Sequence, residues 1–161
     1  MTREEFNKAV DLHADSLYRF VLKLIRNEDM ASDIIQDTFE KVWLKREQID
    51  AIKVKSYLFT TAYRTLIDET RKQNKIEKNI MADDIDFGYE SAVPDLKKVL
   101  NDALNRLPEI QRTVILLRDY EGYDYTQIGE ITNLSESQVK VYIFRGRVAL
   151  KEYIGKIENI I

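Results

Sequence analysis

Apolar residues recur at three- and four-residue intervals along nearly the whole chain, a period that predicts helices almost throughout. The first helix begins near Thr2, where Thr2 and Glu5 have the spacing of a capping box. It aligns Phe6, Val10, His13, Leu17, Phe20 and Leu24 on one stripe, so His13 is expected on the buried face as a core residue rather than a ligand. A second helix opens around Asp29, with Ile35, Thr38, Phe39 and Val42 on one side and Asp33, Gln36, Asp37 and Glu40 on the other. A third covers residues 55–73 and uses Leu58, Ala62, Leu66 and Ile67 as core contacts. Between residues 74 and 95 the periodicity fades, and Asp83, Asp84, Asp86 and Gly88 read as a solvated linker.

Helical spacing resumes over residues 95–106. Pro108 suits the first position of a further helix whose core face is Val114, Ile115 and Leu117, and Gly122 stops it. Residues 126–132 form a short helix and Asn133 and Leu134 a turn. Ser135, with Gln138 three residues on, is a second capping box opening a last helix to about residue 154. The expected fold is all-α: two small helical domains, residues 1–73 and 96–161, joined by a flexible acidic linker over residues 74–95.

Composition narrows the chemistry. The 161 residues include no Cys and a single His, which removes disulfides, thiolate nucleophiles and zinc–cysteine clusters and leaves almost no imidazole chemistry. No stretch approaches the 18 or so apolar residues that span a bilayer, and the N-terminal segment lacks an uninterrupted apolar run, so a cytoplasmic protein without membrane insertion is expected.

The formal net charge of −3 would argue against a nucleic-acid partner, but its distribution reverses that reading. The acidity is concentrated in residues 73–95, whereas residues 137–151 carry Lys140, Arg145, Arg147 and Lys151 with no Asp or Glu. A weaker basic segment, Lys53, Lys55, Arg64, Arg71 and Lys72 against Asp68 and Glu69, lies over residues 53–72.

A short helix, a tight turn and a longer basic helix make the helix-turn-helix layout, whose second helix can enter a DNA major groove. At about 100° per residue, Val139, Ile143, Gly146 and Leu150 turn inward, while Ser137, Gln138, Val141, Phe144 and Arg145 fall on the outward half. Arg145 and Gln138 are suited to base edges and Val141 or Phe144 to a thymine methyl; Lys140, Arg147 and Lys151 are suited to phosphates. The competing structural reading is a basic helix end that complements its macrodipole, with Phe144 packed on a neighbouring helix. An enzyme reading starts from Asp29, Asp33 and Asp37, at four-residue spacing on one helix face, which could bridge Mg²⁺ to a diphosphate; no matching carboxylate helix accompanies them.

The segment LPEIQRTVILLRDYEGYDYTQIGEITNLSESQVKVYIFRGRVAL, residues 107–150, resembles the C-terminal promoter-reading region of the extracytoplasmic-function (ECF) sigma factors of bacterial RNA polymerase. DIIQDTFEKVW, residues 33–43, is similar to that family's core-polymerase-binding region, and KSYLFTTAYRTLIDETRK, residues 55–72, to its promoter-melting segment. The resemblance implies a non-enzymatic initiation factor that needs no cofactor. Its partners would be core RNA polymerase, promoter DNA and an anti-sigma factor.

By resemblance, Asp33, Gln36, Asp37, Phe39, Glu40 and Trp43 meet the polymerase, although Trp43 taken alone reads rather as a core residue than as a contact. Lys53, Lys55, Ser56, Tyr63, Arg64 and Arg71 meet the minus-ten element, and Ser137, Gln138, Lys140, Val141, Phe144, Arg145 and Arg147 the minus-thirty-five element. Arg64 stands where the family often has Asn, and Gly129 and Gly146 where Ala is common. A helix-turn-helix repressor or activator working without polymerase would leave the N-terminal resemblance unexplained.

Overall fold

The computed structural model describes residues 1–77 and 96–158, with side chains to residue 73 in the first stretch and from residue 96 to residue 156 in the second. Within these residues run α1 (Arg3–Ile25), α2 (Glu28–Leu44), α3 (Val54–Glu77), α4 (Leu96–Arg106), α5 (Glu109–Ile115), α6 (Tyr125–Thr132) and α7 (Glu136–Glu158), and no strand occurs among them. Asp83, Asp84, Asp86 and Gly88 lie outside the described residues.

Local chemistry sets the helix ends. Thr2 and Glu5 form the expected capping box at α1, each side chain bonding the other's backbone N–H at 3.1 Å. Asn27, rather than a residue nearer Asp29, caps α2 by accepting from the Met30 N–H at 3.0 Å. Pro108 is the N-cap of α5 and not its first helical residue, because its ψ of 144° is extended. α3 runs to Glu77, beyond the expected end at residue 73, and α7 continues to Glu158. The helix begun by α5 widens into a π turn over Leu116–Tyr120 before Gly122, at φ 76°, reverses the chain.

α1, α2 and α3 pack on one another around Leu17, Phe20, Val21, Ile34, Val42, Leu58 and Leu66. Buried Thr38 satisfies its hydroxyl by donating to the Ile34 carbonyl at 2.7 Å. His13 is half-buried; desolvation first, and the charge of Lys55 second, hold its pKa below the ordinary value. In the second group α4, α5 and α6 all rest on α7, with Val114, Ile115, Leu117, Ile128, Ile131, Val139 and Ile143 buried.

The two groups touch through α3 with α6 and α1 with α5. Phe59, fully buried on α3, has Phe20 at 5.4 Å on one side and Tyr123 of the second group at 5.5 Å on the other, so one apolar cluster is continuous across both.

Candidate nucleic-acid interface and acidic docking face

The helix-turn-helix is built from α6 and α7. Asp124 and Gln127 form a capping box that opens α6, and Ser135 and Gln138 form one that opens α7. Asn133, at φ 60°, ends α6 in the left-handed region that Asn tolerates. The turn is tight, since a Cβ on Gly129 would stand 2.7 Å from the Leu134 carbonyl oxygen; on α7, a Cβ on Gly146 would collide with the Ile115 Cδ1 of α5. The second contact lets the recognition helix lie close against α5, as an inward-facing glycine at position 146 suggests, and the first lets α6 lie close against the turn that follows it.

On α7, Ser137, Gln138, Lys140, Val141, Phe144, Arg145, Arg147 and Lys151 are all exposed, as the outward half requires. Phe144 is 69 % exposed, so it does not pack on a neighbouring helix. Val148 continues the exposed apolar row beyond Val141 and Phe144; the one-turn spacing to Phe144 was a usable signal. The polar members differ in how they are held. The Gln138 carbonyl oxygen accepts from the Ser135 N–H at 2.9 Å, so this side chain serves the cap. Lys140 pairs with Glu136 at 3.4 Å and lies 5.5 Å over the Tyr125 ring. Arg147 makes a two-pronged contact to Asp119, which raises its pKa through that bond first. Arg145 has no hydrogen bond or ion pair among the described residues.

The minus-ten candidates separate into two sets. Lys53, Arg64 and Arg71 are exposed, while Lys55, Ser56 and Tyr63 are half-buried at the junction with the second group. Lys55 Nζ donates to the Glu121 carbonyl at 3.5 Å and lies 5.0 Å over the Tyr123 ring. Burial, and then the charge of Glu109, raise the Tyr63 pKa. In the preceding loop Asp50 caps a single turn over Ala51–Lys53 through the Ile52 N–H at 3.1 Å and leaves Ile52 90 % exposed. An apolar side chain displayed at that loop is a feature sequence reasoning missed.

On α2, Asp33, Gln36, Asp37 and Glu40 are brought together along a groove of about 440 Å³ that Met30, Ile34, Glu69 and Gln73 complete. Glu69 and Gln73, four apart on α3, were not singled out in the sequence, because which α3 face meets α2 depends on packing. Phe39 and Trp43 do not line this groove: Phe39 is half-buried against the core, and Trp43 packs edge-on with Phe6 at 5.0 Å and carries Arg46 over its face at 3.7 Å. Trp43 is thus largely a packing residue. Among the described residues no group of three or more His, Cys, Asp or Glu is placed to hold a metal ion, Asp29, Asp33 and Asp37 included. Nor is any described helix long and apolar enough to cross a membrane.

Among the described residues, helices with an acidic groove on one group and a helix-turn-helix on the other have the layout of proteins that read DNA through a recognition helix. Comparison specifies the kind. Residues 9–76 match sigma-70 region 2 and residues 97–150 match sigma-70 region 4. The chain is 31% identical over 154 residues to the ECF RNA polymerase sigma factor SigM of Bacillus subtilis, covering 92% of this chain and 94% of that one. It is 33% identical over 149 residues to the RNA polymerase sigma factor SigV of the same organism, covering 89% and 87%.

The fold is shared with the sigma factor RpoE solved in complex with the anti-sigma factor NepR from Bartonella quintana, at a TM-score of 0.81 and 23% identity over 94% of this chain and 98% of that chain. The chain belongs to the ECF sigma factor family and is an initiation factor that directs RNA polymerase to promoters.

Proposed function

We propose that residues 1–77 bind core RNA polymerase and open the minus-ten element, that residues 96–161 read the minus-thirty-five element, and that the residues between them link the two. The acidic groove on α2 is the observation that carries this reading. Asp33, Asp37 and Glu40, exposed and without a metal-holding arrangement, are suited to Arg-rich elements of a protein partner through charge-assisted hydrogen bonds. Phe39 and Trp43 add apolar area on α2 outside the groove.

A base of the minus-ten element leaves the stack for the loop around Ile52 and the start of α3, at an unstacking cost of a few kcal/mol offset by stacking and by Lys53, Lys55, Arg64 and Arg71 on the strand's backbone. Ser56 and Tyr63 complete this surface. On α7, Arg145, Val141, Phe144 and Ser137 face base edges, whereas Lys140 and Arg147 hold phosphates.

The protein works in the cytoplasm without catalysis of its own. An anti-sigma factor is a further partner, a reading supported by the anti-sigma factor NepR bound to the RpoE that shares this fold. Reversing charge with Asp33→Lys and Asp37→Lys should weaken affinity for core polymerase at least tenfold while leaving the helical circular dichroism unchanged. Unchanged affinity in the folded double variant would remove the groove from the account.

A further inference from the structure

Arg112 of α5 is 7 % exposed and takes no part in the acidic groove or the DNA surfaces described above. Its Nε is buried without a hydrogen-bond partner, and its guanidinium makes no ion pair among the described residues. A charge withdrawn from water in this way is costly unless another charge or a set of acceptors answers it.

Two charged side chains act on it. One is Arg26, exposed at the left-handed C-cap of α1, a helix that touches α5; its guanidinium has no partner among the described residues either. Burial first, and the like charge of Arg26 second, push the Arg112 pKa down. The other is Glu109, one turn earlier on α5, which opposes that shift from an exposed position without forming an ion pair. Tyr63 of α3 feels the same Glu109 charge, so the site lies where α1, α3 and α5 come together. Two guanidinium groups that repel one another are stabilised by an anion held between them. Each presents a planar fork of N–H donors that matches two oxygens of a phosphate.

We propose that Arg26 and Arg112 form a binding site for a small phosphate-type oxyanion bridging α1 and α5, with Glu109 as the carboxylate that limits its affinity. Arg26, Glu109 and Arg112 all lie outside the residues assigned to polymerase and promoter contact, so the inference stands apart from those assignments. Inorganic phosphate and the terminal phosphate of a phosphoanhydride share this chemistry.

Calorimetric titration of the full chain with inorganic phosphate, and separately with pyrophosphate, tests the site at an ionic strength held constant with sodium chloride. At least one of the two anions should bind saturably, and Arg112→Gln and Arg26→Gln should each weaken it about tenfold. Of the two probes, the tighter one tells a phosphoanhydride ligand from a lone phosphate. No uptake of either anion beyond that of chloride overturns the proposal. So does uptake indifferent to both arginine substitutions, the result expected if the basic DNA surfaces hold the anion instead.

Because Arg112→Gln alters a buried position, the exposed Glu109→Gln supplies a second arm. With its circular dichroism unchanged, this variant should bind the anion about two- to fivefold more tightly, since a like charge is removed from the site. Unchanged or weaker binding in that variant also overturns the site.

Discussion

Arg145 and Gln138 both face outward on α7, yet the structure gives them different tasks, and substitution separates them. Arg145 has no internal partner among the described residues, so turning it onto a base breaks nothing in the protein. If it makes a bidentate contact to a guanine, its discrimination is worth about 1–3 kcal/mol, or about five- to 150-fold between a cognate and an altered upstream element. Gln138 is tied into the Ser135 capping box, so Gln138→Ala should cost about 1 kcal/mol of stability and leave base preference intact.

The assay is holoenzyme binding to promoters that differ only at single minus-thirty-five positions, at two salt concentrations. Arg145→Ala should flatten the preference at one position. Lys140→Ala and Arg147→Ala should weaken all sequences about equally and reduce the salt slope by about one each. An Arg145→Ala holoenzyme that discriminates as well as the unmodified one refutes direct readout and moves specificity to Val141, Phe144 or DNA shape.

Other consequences are equally open to measurement. Lys55→Ala with Arg64→Ala should reduce permanganate reactivity of the promoter bubble severalfold without weakening core binding; an unchanged footprint contradicts the minus-ten assignment. Gly129→Ala adds about 1 kcal/mol of helix propensity but forces a backbone carbonyl aside at about 1–3 kcal/mol, so the melting temperature should fall by a few degrees. A higher melting temperature would show that the turn yields freely.

Features set by residues three or four apart were readable from the chain alone. The Thr2–Glu5 and Ser135–Gln138 boxes, the acidic face of α2 and the inward row Val139, Ile143 and Gly146 all follow from local spacing, and the structure reproduces them. The Asp124–Gln127 box had the same spacing and went unread, which displaced the start of α6 by one residue.

What the spacing could not carry was contact between distant segments. Lys55 and Glu121 are 66 residues apart, and no periodicity announces that a basic helix start is covered by a carbonyl from another helical group. The two glycines of the recognition motif were legible as departures; the approach of Ile115 to Gly146 depends on how α5 and α7 cross, whereas the carbonyl that meets Gly129 belongs to the adjoining turn. Gln138 carried two readings from the chain alone, a capping partner of Ser135 and an outward base reader, and its bond to the Ser135 N–H bears out the first.

The central claim is that this chain directs polymerase to promoters. Run-off transcription with purified core enzyme on a fragmented bacterial genome, with and without the purified protein, tests it most directly. The account predicts discrete new transcripts that share minus-ten and minus-thirty-five sequences and that disappear with Asp33→Lys and Asp37→Lys. A protein that binds duplex DNA by itself, does not associate with core enzyme and yields no new transcript would contradict it.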